Sequence, residues 1–132
     1  MQPAALLLAA VLLAADPAPD AEAVRPAFED GLQVTATAYT SGPESTGKRP
    51  GHPQYGYTYS GKRAREGRTI AVDPKQIPLG SLVYIQELGQ YRVAEDTGGA
   101  IRGNRIDLYM DRVPDALRWG VRNVRIRVYP KL

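Results

Sequence analysis

The stretch AEDTGGAIRGNRIDLYM, Ala94 to Met110, sets two carboxylates, Asp96 and Asp107, on either side of a glycine-rich loop. Both lie among strand-forming residues, where Asp is usually depleted. If YRVAED (Tyr91–Asp96) and RIDLYM (Arg105–Met110) run antiparallel around residues 97–104, the two acids fall nearly opposite each other. Cross-strand Cβ atoms lie about 4.5–5.5 Å apart, and like charges there repel. Such a pair needs a bridging cation, or one partner protonated with a raised pKa. A raised carboxylic acid is what protonation of a glycosidic oxygen requires. The spacing alone leaves the question open. Asp107 points opposite to its apolar neighbours Ile106 and Leu108, as a merely solvent-facing residue also would.

Outward from this stretch the dominant period is two. QVTATAY (Gln33–Tyr39), TIAVD (Thr69–Asp73), SLVYIQ (Ser81–Gln86) and VRIRVY (Val124–Tyr129) join the two segments above as short, β-rich runs separated by turn residues. In the last, Val124, Ile126 and Val128 face one way and Arg125, Arg127 and Tyr129 the other. ELGQ (Glu87–Gln90) is a tight-hairpin candidate. Only VPDALRWG (Val113–Gly120) reads as helix, with Pro114 suited to a first helical position and Gly120 to a C-terminal cap. Residues 41–68 form a long polar insertion rich in Gly, Pro and Ser, and a loop of that length in a compact domain is usually functional. Six short strands and one short helix predict an all-β fold, a small closed barrel.

The N-terminus reads differently. PAALLLAAVLLAA (Pro3–Ala15) suits a secretory h-region better than a bilayer span, and AEA at Ala21–Ala23 offers a cleavage site, although no Lys or Arg precedes the run. The expected organisation is a signal peptide over 1–23, a tether over 24–32 and the barrel domain over 33–132. Such a chain is secreted, periplasmic or otherwise in the cell envelope, with no transmembrane span. Removing residues 1–23 takes away Asp16, Asp20 and Glu22 and no basic residue, so the net charge rises from +3 to +6. That charge favours polyanionic surroundings. Its basic residues are dispersed and not interleaved with aromatics, which argues against nucleic acid and for an anionic envelope.

Several chemistries are excluded. There is no cysteine, hence no disulfide framework, zinc-thiolate site or Cys nucleophile. The single His52 sits in the long loop, so neither a zinc site nor a Ser-His-Asp set can be assembled. Gly98, Gly99 and Gly103 are followed by no helix that would make a phosphate site. Neither cofactor nor metal is expected, although Asp96, Asp107 and Asp111 together offer the oxygen ligands a calcium or magnesium ion takes. Each acid also has a structural role open to it. Asp73 precedes Pro74 and can cap a turn, Asp96 can accept amides of the loop that follows, and Asp111 can neutralise a surface Arg.

TATAYT (Thr35–Thr40), GYTYSGKRAREGRTIAVDPKQIPLGSLVYI (Gly56–Ile85), VAEDTGGAIRGNRIDLYM (Val93–Met110) and ALRWGVRNVRIRVY (Ala116–Tyr129) together resemble the 3D domain, named for three aspartates. The family is similar to the C-terminal part of membrane-bound lytic transglycosylase A and includes stationary-phase survival proteins. The resemblance implies a six-stranded double-psi β-barrel and places the three aspartates at Asp73, Asp96 and Asp107. It implies that Asp107 protonates the glycosidic oxygen between N-acetylmuramic acid and N-acetylglucosamine of peptidoglycan strands. The same residue, once ionised, would take the proton of the muramic acid C6 hydroxyl as a 1,6-anhydro ring closes. Asp96 would tune and orient Asp107, and Asp73 would organise the site. Thr97, Gly98 and Gly99 would let a sugar approach the backbone, with Thr58, Lys62 and Tyr39 as groove-wall candidates. The larger transglycosylase has a second domain lining its groove, for which this chain has no residues. A shallow groove or a homodimer interface is then expected to hold the glycan, and a non-catalytic glycan-binding barrel is the rival expectation.

Overall fold

The computed structural model describes Phe28 and residues 31–131. The predicted leader, residues 1–23, lies outside these residues, as does the predicted tether apart from Phe28, Gly31 and Leu32. Six strands form: β1 (Leu32–Tyr39), β2 (Thr69–Ala71), β3 (Leu82–Ile85), β4 (Gln90–Asp96), β5 (Arg105–Tyr109) and β6 (Arg122–Tyr129). They close into a barrel in the order β1-β5-β2-β4-β3-β6, with β6 returning to β1. The pairs β1/β5 and β2/β4 are parallel and the other four are antiparallel. The all-β, six-stranded barrel expected from the period-two runs is therefore the architecture observed.

Alternation builds the core. Val34 and Ala36, Val83 and Ile85, Ile106 and Leu108, and Val124, Ile126 and Val128 all turn inward and are buried. Most are β-branched, which suits the pleated wall of a small barrel. Phe28 and Leu32 pack against the same core from the N-terminal side. Ile126 is fully buried and pairs with Leu32 on one side and Ile85 on the other. Ile126→Ala is expected to destabilise the barrel by about 2–5 kcal/mol, the usual cost of a cavity in a closed core, read as a lower urea midpoint at unchanged slope.

The expected helix is present at Val113–Trp119, with a proline in its first turn and Gly120 at its C-cap. Its Trp119 indole N–H donates to the Ala36 carbonyl at 3.0 Å, seating the helix on β1. A further helical turn, α1 (Pro43–Thr46), lies in the long insertion; the helix at 113–119 is α2. Four residues are too few for a helical period to show. Its punctuation is ordinary, with Pro43 opening it and Gly47, at φ 76°, donating its N–H back to Pro43. No helix among the described residues is long and apolar enough to cross a membrane.

The hairpin expected between Tyr91–Asp96 and Arg105–Met110 does not form. Strand β2 lies between β4 and β5, so Asp96 and Asp107 are not cross-strand neighbours. Residues 97–104 do not turn back on β4 but pass over the end of β2, carrying the chain across two strand spacings, about 9–10 Å.

Candidate functional site

The site lies on the outer surface of the barrel wall. Because Ile106 and Leu108 take the core side of β5, Asp107 between them faces out. On one side it is in register with Thr37 of β1, on the other with Ala71 of β2. Ala71 is in turn paired with Asp96 of β4. A stripe of Thr37, Asp107, Ala71 and Asp96 thus crosses four strands, with the smallest side chain between the two acids.

That stripe depends on a bulge. Ile70 pairs with Ala94 but Ala71 pairs with Asp96, so Glu95 is an extra residue on β4. Strict alternation would send Asp96 to the core side occupied by Ala94; the extra residue returns it to the outer face beside Ala71. Glu95 itself is buried and held by the Thr69 hydroxyl at 2.9 Å and the Arg68 guanidinium at 2.9–3.0 Å.

Three donors converge on Asp96. Oδ1 accepts the backbone N–H of Tyr59 at 2.8 Å and of Thr97 at 2.9 Å, and Oδ2 accepts the Tyr39 hydroxyl at 2.7 Å. Burial, and then the Asp96 carboxylate, push the Tyr39 phenol far above its ordinary range, so it stays a donor. Asp107 is served more sparingly. Oδ1 accepts the Thr37 hydroxyl at 2.8 Å. Burial raises its pKa above the usual carboxylate value; the Thr37 hydroxyl and the Arg105 charge work against that rise, and Asp96 adds a little to it. The rise at Asp107 thus comes from desolvation first and like-charge repulsion last, not from the cross-strand contact that a hairpin would give. Two strand spacings weaken the repulsion.

The insertion flanks the site. Tyr57–Arg63 forms a small antiparallel bridge whose turn docks on β4, with Ser60 N–H donating to the Glu95 carbonyl at 3.1 Å and Tyr59 N–H to Asp96. The loop 97–103 closes the other side. Between them is a cleft of about 400 Å³ into which Asp96, Asp107 and Tyr39 face, floored by Ala71 and walled by Thr58, Thr97, Gly98 and Gly99. One wall of the cleft is thus built from the insertion, within residues 45–59.

Two of the predicted residues stand elsewhere. Lys62 is exposed and does not line the cleft, because it sits on the far arm of the turn that closes from Thr58. Asp73 does not line it either. Its carboxylate accepts Lys75 N–H at 3.0 Å and Gly103 N–H at 2.8 Å, and the Gly103 amide holds its pKa below the usual value. It caps its own turn and pins the far end of loop 97–103. The cation site from Asp96, Asp107 and Asp111 is not assembled. Asp111 lines a different cleft, and no cluster of three His, Cys, Asp or Glu among the described residues is placed to hold a metal.

Thr37, Ala71 and Tyr59 belong to the site and were not singled out from sequence. Thr37 carried a signal, standing two residues before Tyr39 and so on its face. Ala71 and Tyr59 carried none, since strand order and loop docking bring them in.

The raised pKa of Asp107 has a stability consequence. Between the unfolded and folded pKa values the native state binds the proton and the unfolded chain does not, so the group's contribution is complete at low pH and is lost as pH rises through its folded pKa. Asp107→Asn removes that liability. The melting temperature of the variant relative to wild type is expected to increase between pH 4 and pH 7, measured by calorimetry at matched ionic strength. A constant offset would show that Asp107 does not titrate above its model-peptide value.

Residues 68–130 match the family of the 3D domain. The chain carries a 3D domain. The matched span holds β2 to β6 and all three named aspartates, whereas Tyr39, Thr58 and Tyr59 precede it. This chain is 43% identical over 97 residues to the cell wall-binding protein YocH of Bacillus subtilis, covering 74% of this chain and 32% of that one. It is 40% identical over 97 residues to the putative cell wall shaping protein YabE of the same organism, covering 74% and 22%. The chain therefore spans a third or less of the length of these two relatives. Among solved structures, MltA from E. coli aligns at 28% identity and a TM-score of 0.43, covering 55% of this chain and 26% of that one.

Proposed function

We propose that this 3D domain acts outside the cytoplasm on cell-wall peptidoglycan, as a lytic transglycosylase that cleaves the β-1,4 bond between N-acetylmuramic acid and N-acetylglucosamine. The observation that carries the reading is Asp107, a partly buried carboxyl with a raised pKa, held through one oxygen by Thr37 in a cleft walled by the insertion. Its other oxygen, Oδ2, accepts no hydrogen bond from the described residues.

In the proposed reaction protonated Asp107 gives its proton to the glycosidic oxygen as the C1–O bond breaks. The C6 hydroxyl oxygen of the muramic acid then bonds to C1, and its proton passes to the Asp107 carboxylate. The acid is regenerated and no water is consumed. One residue serves as acid and then base, so a second proton-transfer carboxylate is unnecessary. Arg105 and the Thr37 hydroxyl, both of which favour ionised Asp107, offset its charge between the two steps. Asp96, with both oxygens occupied by donors, fixes Tyr39 and the Tyr59 turn around the cleft. Asp73 sets the loop that carries Gly98 and Gly99.

The test is incubation of the protein with purified peptidoglycan, followed by mass analysis of soluble products for 1,6-anhydromuramyl ends. Wild type releasing none would sink the reaction. The name of YocH favours a second reading, a barrel that binds wall glycan without cutting it. Co-sedimentation with sacculi that releases no soluble fragments would select it.

A further inference from the structure

A second cleft, of about 370 Å³, stands back to back with the first. Alpha-helical turn α1 divides them, with Glu44 facing the second cleft and Ser45 and Thr46 the first. Below it the Tyr109 ring lines the second cleft and meets Tyr39 of the first edge-on, centroids 5.5 Å apart. A linear glycan seated beside Asp107 would not enter this second space, but a branch leaving the glycan at one sugar could.

Charges of both signs face this cleft without neutralising one another. Arg63 lies over the Tyr57 ring at 5.3 Å and makes no ion pair among the described residues. Nor do Glu44 and Asp111, the two carboxylates that line the same cleft. Glu44 is held locally. The Thr40 hydroxyl donates to its carboxylate and holds its pKa below the usual value, and a Cβ on Gly42 would collide with that carboxylate. Gly42 has an ordinary negative φ, −69°, and a side chain there would push the Glu44 carboxylate aside. A carboxylate held by the Thr40 hydroxyl, a second one on Asp111, and a guanidinium without an ion pair suit a ligand with both an ammonium and a carboxylate. Tyr55 and Val113 supply apolar surface between them.

We infer that the second cleft binds a zwitterionic peptide, the stem that branches from the muramic acid of a glycan held in the first cleft. Arg63 takes a peptide carboxylate through the paired N–H groups of its guanidinium, and Glu44 with Asp111 takes the ammonium. The link to a glycan rests on the function proposed above; the peptide contact itself requires no catalysis.

The experiment titrates the full chain with an N-acetylated stem tetrapeptide bearing a side-chain ammonium and a free C-terminal carboxylate, with no sugar attached. Calorimetry gives the affinity and amide chemical shifts locate the site. Saturable binding that shifts Tyr109 and Val113 is expected. Arg63→Ala should weaken it about tenfold or more, the scale of a lost charge-assisted hydrogen bond. Asp111→Asn, which keeps the side-chain shape, should weaken it similarly, and Asp107→Asn should leave it unchanged. No saturable binding would overturn the inference, as would binding that Arg63→Ala and Asp111→Asn leave untouched. Loss of 1,6-anhydro products with peptide binding intact would remove the cleavage reaction alone.

Discussion

Asp107→Asn is expected to abolish release of 1,6-anhydromuramyl fragments, a loss of about 10²–10⁴-fold or more for a group that both gives and takes a proton. The substitution is nearly isosteric, and the amide oxygen still accepts the Thr37 hydroxyl, so the cleft keeps its shape. What it lacks is a proton to give and a carboxylate to receive one. The companion observation is stability: at pH 7 the variant should melt no lower than wild type, because burial of the native carboxylate opposes its ionised form. An inactive but equally stable variant separates a chemical role from a structural one. The wild-type rate should also fall as pH rises through the raised pKa of Asp107, since the acid must enter the cycle protonated. Asp96→Asn tests the unequal roles. It should cost less than Asp107→Asn, because it disturbs donors around the cleft and not the proton itself. Undiminished products from Asp107→Asn would end the proposed mechanism.

The barrel was legible because its signal is local. β6 alternates Val124, Ile126 and Val128 against Arg125, Arg127 and Tyr129, and a period of two needs only neighbours to be seen. Asp107 between Ile106 and Leu108 was legible for the same reason, as an acid that must face away from the core. The link between Asp107 and Asp96 was not. It depends on β2 entering between β4 and β5, a long-range pairing without a local mark, and on the bulge at Glu95, which reverses the facing of one residue. Read as a hairpin, the same stretch yields a repelling pair in contact. In the barrel it yields two acids separated by an alanine and treated differently by their surroundings. The cover was half legible. The length of the insertion marked it as functional, but nothing in its composition says that the Tyr59 amide docks on Asp96 while Lys62 stands clear.

The alanine leads to the second large effect. Ala71→Leu is expected to eliminate product formation, by at least about a hundredfold, while the barrel stays folded. Ala71 is paired on both flanks, with Asp107 through β5 and with Asp96 through β4, and only 3% of it is exposed. Its methyl group faces the cleft, and Ile70 and Val72 on either side hold the core. A leucine there adds its bulk between the two carboxylates and against the Tyr39 hydroxyl that reaches Asp96. The clash falls on the outer wall, so its cost should stay within the 1–3 kcal/mol typical of overpacking, visible as a modest drop in melting temperature. The geometry of the cleft has no such margin, since misplacement by about 1 Å can cost a hundredfold in rate. Ala71→Ser, with almost the same volume, should retain most of the activity. The decisive comparison is product yield per folded protein for the two variants, with folding judged by near-UV dichroism. Ala71→Leu cleaving as fast as Ala71→Ser would mean that the space between Asp96 and Asp107 is not where the sugar sits.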